Sequence, residues 1–254
     1  LASVNLMKFV DDSGTFDVDK FKHVVRLFII AQDILVDSSS YPSAEICTNS
    51  HRFRPLGLGY ANLGALAMRL GLPYDSEEGR AYAAVVTALM TGTAYIASQE
   101  LAKSKGVFEG YNENRECMLR VIGMHKDAIS GIDSSLCPPN MRKAAESAWT
   151  QVAETATRSG FRNSQVTLLA PTGTIGFMMD CDTTGVEPDI ALIKYKQLAG
   201  GGLMKLVNQT VPSALRRLGY TETEVGAITA HIEQYGSVEA VGYPVSQRFV
   251  YKGL

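Results

Sequence analysis

Residues 81–99 contain no charged side chain, and no other stretch limits the folds open to this chain as strongly. An uncharged helix of that length either crosses a bilayer or is covered on several sides by protein. Thr87, Thr91, Gly92, Thr93 and Ser98 dilute its apolar character, and neither basic flanks nor aromatic belts frame it. Asp75 or Ser76 starts the helix, Glu77 and Glu78 suit its first turn, and the pattern continues to Lys105. The expectation is therefore a helix buried inside a sizeable domain, and no membrane span. The 254 residues, 46% of them hydrophobic, suffice for one large domain or two small ones.

Charge and cysteine usage exclude several classes. A net charge of −2, without aromatics interleaved among Lys/Arg clusters, offers no field for nucleic acid. Cys47, Cys117, Cys137 and Cys181 are far apart and form no CxxC pair, and the four histidines are equally scattered. No metal-site spacing follows, and free thiols in a reducing cytoplasm are the simplest account. His23 reads as a helix-surface residue and Trp149 as core. The chain opens at Leu1 without a targeting signal and begins abruptly, so it reads as a fragment.

In chain order, residues 1–10 read as a strand or edge segment, and Asp11-Asp12-Ser13-Gly14 as a turn. Asp17 or Thr15 caps a helix to about Ser38, with Val24, Leu27, Phe28, Ala31, Ile34 and Leu35 as its buried stripe. Residues 43–54 read as a polar connection. Gly57, Gly59 and Gly64 follow in a G-x-G-x-x-x-x-G spacing, which is not the dinucleotide fingerprint. Close packing of a helix start against a sheet explains them better, and that helix ends at Gly71. Residues 107–139 read as loose, with one helical segment near 113–122. Asn140 caps the next helix, which buries Met141, Ala145, Ala148, Trp149, Val152 and Ala156 and ends at Gly160. Residues 190–193 read as a buried strand, Gly200-Gly201-Gly202 as a flexible break, and 203–218 and 221–234 as helices. Thr221 and Glu224 form a capping box for the second. From Gly236 onward the signals are weak. Helices alternating with strands give an α/β class.

Residues 164–176 carry the one candidate site. A β-branched and aliphatic run ends at Pro171 and breaks into Thr172-Gly173-Thr174-Ile175-Gly176. Such a loop brings several backbone N–H groups to one point, where an anion such as phosphate fits. On spacing alone an ordinary strand-to-helix turn is the better reading, since the pattern is no Walker loop. Lys194 and Lys196 either add positive charge near an anion or end a solvated strand.

Longer stretches resemble one family. Gly160-Phe161-Arg162-Asn163-Ser164, Leu169-Ala170-Pro171-Thr172-Gly173-Thr174-Ile175-Gly176 and Thr184-Gly185-Val186-Glu187-Pro188 are similar to the large catalytic chain of ribonucleotide reductases. The run from Met179 through Asp189 and Lys196 to Gly200-Gly201-Gly202 most resembles the adenosylcobalamin-dependent (class II) group. Leu1-Ala2-Ser3-Val4-Asn5-Leu6 and Pro55-Leu56-Gly57-Leu58-Gly59 agree, in the right order.

The resemblance implies a helix-rich α/β fold, part of a ten-stranded α/β barrel, with residues 1–254 forming a catalytic barrel domain truncated at both ends. It implies radical reduction of ribonucleotides, taken as diphosphates, to deoxyribonucleotides. In that chemistry a thiyl radical abstracts the 3′-hydrogen and a cysteine pair supplies the electrons. By the same resemblance Pro171, Thr172, Gly173, Thr174 and Ile175 hold the substrate phosphates, with Thr172 and Thr174 as side-chain donors.

The family's radical cysteine, in an Asn-x-Cys-x-Glu setting, has no match here, and one reducing cysteine would lie just before Leu1. No catalytic residue and no metal ligand is expected within this segment, and the four cysteines are read as structural or incidental. For the full-length enzyme the resemblance implies adenosylcobalamin, a thioredoxin-like or small-thiol reductant, a cytoplasmic location, and an assembly state in which a homodimer is open. The fragment alone is expected to be inactive. A metal-initiated (class I) large subunit and a non-catalytic nucleotide-phosphate binding module are the alternatives.

Overall fold

In the computed structural model, which describes residues 1–238, the elements in chain order are β1 (Ala2–Asn5), α1 (Val18–Ser38), α2 (Ala44–Phe53), β2 (Leu58–Ala61), α3 (Leu63–Leu70), α4 (Glu77–Lys105) and α5 (Tyr111–Ala128). They continue with α6 (Pro139–Ser159), α7 (Gly173–Met178), β3 (Ile193–Gln197), β4 (Leu203–Val207), α8 (Val211–Arg217) and α9 (Glu222–Tyr235). Most of the weakly patterned tail, residues 239–254, lies outside the described residues. Two units form: Leu1–Val4, Thr15–Gly59 and Ala81–Leu169 make the first, and Asn5–Gly14, Tyr60–Arg80 and Ala170–Leu254 the second. Among the described residues the strands pair only two by two, β1 with β2 and β3 with β4, and no closed barrel is seen.

In the first unit, α4 is long and apolar enough to cross a membrane by length and composition, yet it is mostly buried. Trp149 of α6 is 2% exposed, and its indole N–H donates to the Ala88 carbonyl of α4 at 2.9 Å. All six expected face residues of α6 are buried. Pro138 takes the cap position there and Pro139 the first helical one, two residues earlier than the expected Asn140 cap, because proline's fixed φ and missing N–H suit that turn.

α1 starts where expected, with the Asp17 carboxylate accepting the Lys20 N–H at 2.9 Å, but its buried face is rotated. Phe21, Val25, Ile29, Gln32, Asp33 and Val36 are buried, while Leu27, Phe28, Ile34 and Leu35 are exposed. The buried face holds polar residues with partners: Gln32 donates to the Gly57 carbonyl at 3.4 Å, and Asp33 pairs with Arg54 at 2.9 Å. Periodicity picks the more apolar stripe and so picks the wrong one.

Two further expectations are corrected here. Residues 43–54 are not a connection but contain α2, capped by Ser43, which is rich in polar residues and buries none of its side chains. The loose region 107–139 holds the longer helix α5 and a 3-10 turn, Ile129–Gly131. Among the described residues the run before the loop forms a single parallel bridge, Leu58 to Thr167. Gly59 admits that run closely: a Cβ there would lie 2.4 Å from the Leu168 carbonyl oxygen.

In the second unit, Met68 of α3 joins Leu192, Val211, Ala214, Leu215, Val225, Ile228 and Ile232 in a core built mainly by α8 and α9. The Thr221–Glu224 capping box forms as expected. Residues 190–197 and 203–207 are the corrections. Ile190 is 85% exposed, and the strand starts later, at Ile193. Gly200-Gly201-Gly202 closes an antiparallel hairpin, with Ile193 opposite Val207 and Gln197 opposite Leu203. Gly201 and Gly202 sit at φ +82 and +95, which suits a tight reversal. Residues 203–207 are therefore a strand, and the helix that was expected from 203 shortens to α8.

Candidate functional site

The loop of residues 170–179 lies in the second unit and is shaped by Thr172. This residue is 6% exposed and sits in the left-handed region at φ +55, where a β-branched side chain is strained. Its hydroxyl donates to the Ala170 carbonyl at 3.1 Å and makes no cap bond to α7. The amide of Gly176 is bonded to the Thr172 carbonyl at 3.2 Å, so the amides of Gly173, Thr174 and Ile175 precede the first intrahelical ring. All three residues are exposed, and a Cβ on Gly173 would meet nothing within 4 Å. The structure thus brings together Gly173, Thr174 and Ile175 as an open helix start, with the Thr172 hydroxyl turned to the backbone.

The loop is held at both ends by groups that sequence reasoning missed. At the front, the Gly185 N–H donates to the Pro171 carbonyl at 2.8 Å. At the back, the Asn5 side-chain amide donates to the Met179 carbonyl at 3.3 Å. Asn62, 3% exposed and at φ +69, donates from Nδ2 to Asn5 Oδ1 at 2.9 Å and accepts the Thr183 N–H at 3.0 Å. The signal available was a lone asparagine at the head of α3, a residue type that tolerates left-handed φ.

Behind the loop, charges are paired rather than free. Asp189, 2% exposed, accepts from Lys194 at 2.6 Å and from Asn208 at 2.5 Å. The Lys194 ammonium also donates to the Asp182 carbonyl, so this lysine is committed to the network. Asp182 accepts the Gln209 N–H at 2.8 Å and the Thr210 hydroxyl. The Lys196 ammonium lies over the Phe177 ring, 4.2 Å from its centroid. A cavity of about 250 Å³ is lined by Phe177, Cys181, Asp182, Lys194, Lys205 and Asn208 among others. Burial, reinforced by Asp182 and Asp180, pushes the Cys181 thiol up to about 11, so it stays protonated at neutral pH. All four cysteines are free, and among the described residues no group of three or more His, Cys, Asp or Glu side chains could hold a metal ion.

Comparison with known proteins gives a consistent result. The family model of the ribonucleotide reductase barrel domain matches residues 1–252. A vitamin B12-dependent ribonucleotide reductase of Rhodopirellula baltica is 53% identical over 239 residues, covering 94% of this chain and 23% of that protein. Proteins of the same name are 49% identical in Streptomyces coelicolor and 48% in Streptomyces avermitilis, each with 94% of this chain and 25% of the relative covered. The chain thus spans about a quarter of the length of these curated relatives.

Proposed function

The chain belongs to the ribonucleotide reductase barrel-domain family, and from that premise we propose that it supplies the substrate-phosphate loop of an adenosylcobalamin-dependent ribonucleotide reductase. In this reading Pro171, Thr172, Gly173, Thr174 and Ile175 hold the phosphates of a ribonucleotide, taken as the diphosphate. The observation that carries it is the open start of α7: the first-turn amides belong to three exposed residues, Gly173, Thr174 and Ile175, and no side-chain cap competes for them. A phosphate leaving water needs several convergent donors, and first-turn amides supply them without a lysine. Thr174 adds a hydroxyl donor. Thr172 acts through its backbone and its bond to Ala170, which fix where the helix begins.

The names of the relatives support the vitamin B12-dependent type over a metal-initiated one. The cofactor would start the radical chemistry, and the cavity of about 250 Å³ beside Phe177 and Cys181 is too small to enclose its corrin. The reading places the radical cysteine and the remaining strands of a ten-stranded barrel elsewhere in the polypeptide. A thioredoxin-like or small-thiol reductant, a cytoplasmic setting and a homodimer belong to the same proposal for the full-length enzyme, and the piece alone is inactive in it.

Replacing Thr174 tests the loop. A charge-assisted hydrogen bond is worth about 1.5–3 kcal/mol, so Thr174→Glu in the full-length enzyme raises KM for nucleotide about tenfold or more. An unchanged KM would disconnect the loop from the substrate.

A further inference from the structure

We infer that Asn5 and Asn62 form a side-chain clamp that sets the position of the loop, making them positioning residues for the substrate phosphates. The inference rests on the phosphate reading of residues 171–175. Its basis is an unbroken relay of hydrogen bonds running from one end of the loop helix to the turn that holds the other end.

The relay has a fixed polarity. Asn5 Oδ1 accepts the Met7 N–H at 3.1 Å, which turns its Nδ2 toward the Met179 carbonyl at 3.3 Å. Asn62 Oδ1 accepts the Thr183 N–H at 3.0 Å, which turns its Nδ2 toward Asn5 Oδ1 at 2.9 Å. Backbone groups thus orient both amides, and neither can flip without facing like against like. The Asn62 N–H also donates to the carbonyls of Thr183 and Thr184, at 3.2 and 2.9 Å. The next residue is Gly185, whose N–H reaches the Pro171 carbonyl.

Met179 closes α7, and Pro171 precedes it. The clamp therefore ties the end of the loop helix to the turn that fixes its beginning. A helix of six residues has too few internal bonds to hold its own orientation, so the aim of its first-turn amides depends on these outside ties. Apart from Asn5 to Met179, none of these bonds touches the loop helix itself, so a change in Asn62 reaches the phosphate site only through Asn5 and the 183–185 turn.

Aspartate substitutions remove one donor each while keeping the acceptor, and Asn5→Ser, which adds no charge, must show the same direction of change. Asn5→Asp keeps the acceptor for Met7 and Asn62 but sets a carboxylate oxygen against the Met179 carbonyl. Asn62→Asp keeps the acceptor for Thr183, tolerates the left-handed φ, and loses the donor to Asn5. In the full-length enzyme the readouts are the inhibition constants of inorganic pyrophosphate and of a ribonucleoside without phosphate. Each variant is expected to raise the pyrophosphate constant about three- to tenfold, the size of one lost hydrogen bond, and to leave the ribonucleoside constant unchanged.

An unchanged pyrophosphate constant, or an equal rise in both constants, overturns the clamp; the second outcome marks a general structural role. Should either variant fail to fold, Asn5→Ser retains an oxygen for Met7 and carries the same readout. Thr174→Glu is measured alongside. If it weakens pyrophosphate while the asparagine variants do not, the clamp is wrong and the phosphate reading stands. If it has no effect, the phosphate reading fails, and the clamp with it.

Discussion

Gly185 and Ala170 meet backbone to backbone: a Cβ on the glycine would lie 2.4 Å from the Ala170 carbonyl oxygen. The same glycine donates to Pro171 at 2.8 Å, so the turn cannot back away without losing that bond. Gly185→Ala is expected to destabilise by about 1–3 kcal/mol, the usual penalty of overpacking. On the phosphate reading it should also weaken nucleotide binding, because the displaced segment leads into α7. Urea unfolding and a nucleotide titration check the two halves separately.

The indole of Trp149 anchors α6 on α4 through its bond to the Ala88 carbonyl. Trp149→Ala should lower stability by about 3–5 kcal/mol through the cavity it leaves. Trp149→Phe keeps most of the volume but loses the indole's bond to the Ala88 carbonyl, for a loss of about 0.5–1.5 kcal/mol. The order of the two urea midpoints tests this, since an equal loss would mean that the hydrogen bond decides everything.

Arg54 is paired with Asp33 at 2.9 Å, with side chains 5% and 7% exposed. Arg54→Met leaves the buried Asp33 carboxylate with Asn163 at 2.9 Å and the more distant Arg162 at 3.5 Å as its partners, and about 3 kcal/mol should be lost. Asp37, largely exposed, accepts from the same guanidinium, which holds its carboxyl below the usual 3.8. A depressed carboxyl stabilises the fold above its unfolded pKa, and that contribution disappears as pH falls through the lower folded value. Asp37→Asn should therefore flatten the loss of stability below about pH 4, as read from unfolding midpoints across that range.

Cys181 should alkylate far more slowly than Cys117. Its pKa is raised from 9.0 to about 11, so at pH 8 its thiolate fraction is about a hundredfold below that of an ordinary thiol. Timed iodoacetamide labelling with peptide mapping should find exposed Cys117 modified early, and half-buried Cys181 late, together with buried Cys137. Early modification of Cys181 would mean that its surroundings open in solution.

How much of this could be seen in the sequence depended on whether an element buries a face. α4, α6 and α9 were visible, because their apolar spacing, first-turn acids or capping box act within one segment. α2 was invisible because it buries nothing, and α1 was seen with the wrong face inward because its buried side includes Gln32 and Asp33. Residues 203–207 fit a helix or a strand equally well as a short apolar run, and only pairing with residues 193–197 decides it. The loop itself was legible from Pro171 onward. Its supports were not, since Asn5, Asn62 and Gly185 come from three distant stretches and none carries a local pattern.

The unfinished start of α7 has one more consequence. A side chain that capped this helix, as Thr172→Asp could, would gain local stability by taking the very amides that the phosphate reading assigns to substrate. Selection for a tighter apoprotein and selection for a better receptor therefore pull position 172 in opposite directions. On the phosphate reading, a search for thermostable variants that ignores anion binding is expected to enrich acidic or amide residues there, each one weakening the site that the reading assigns.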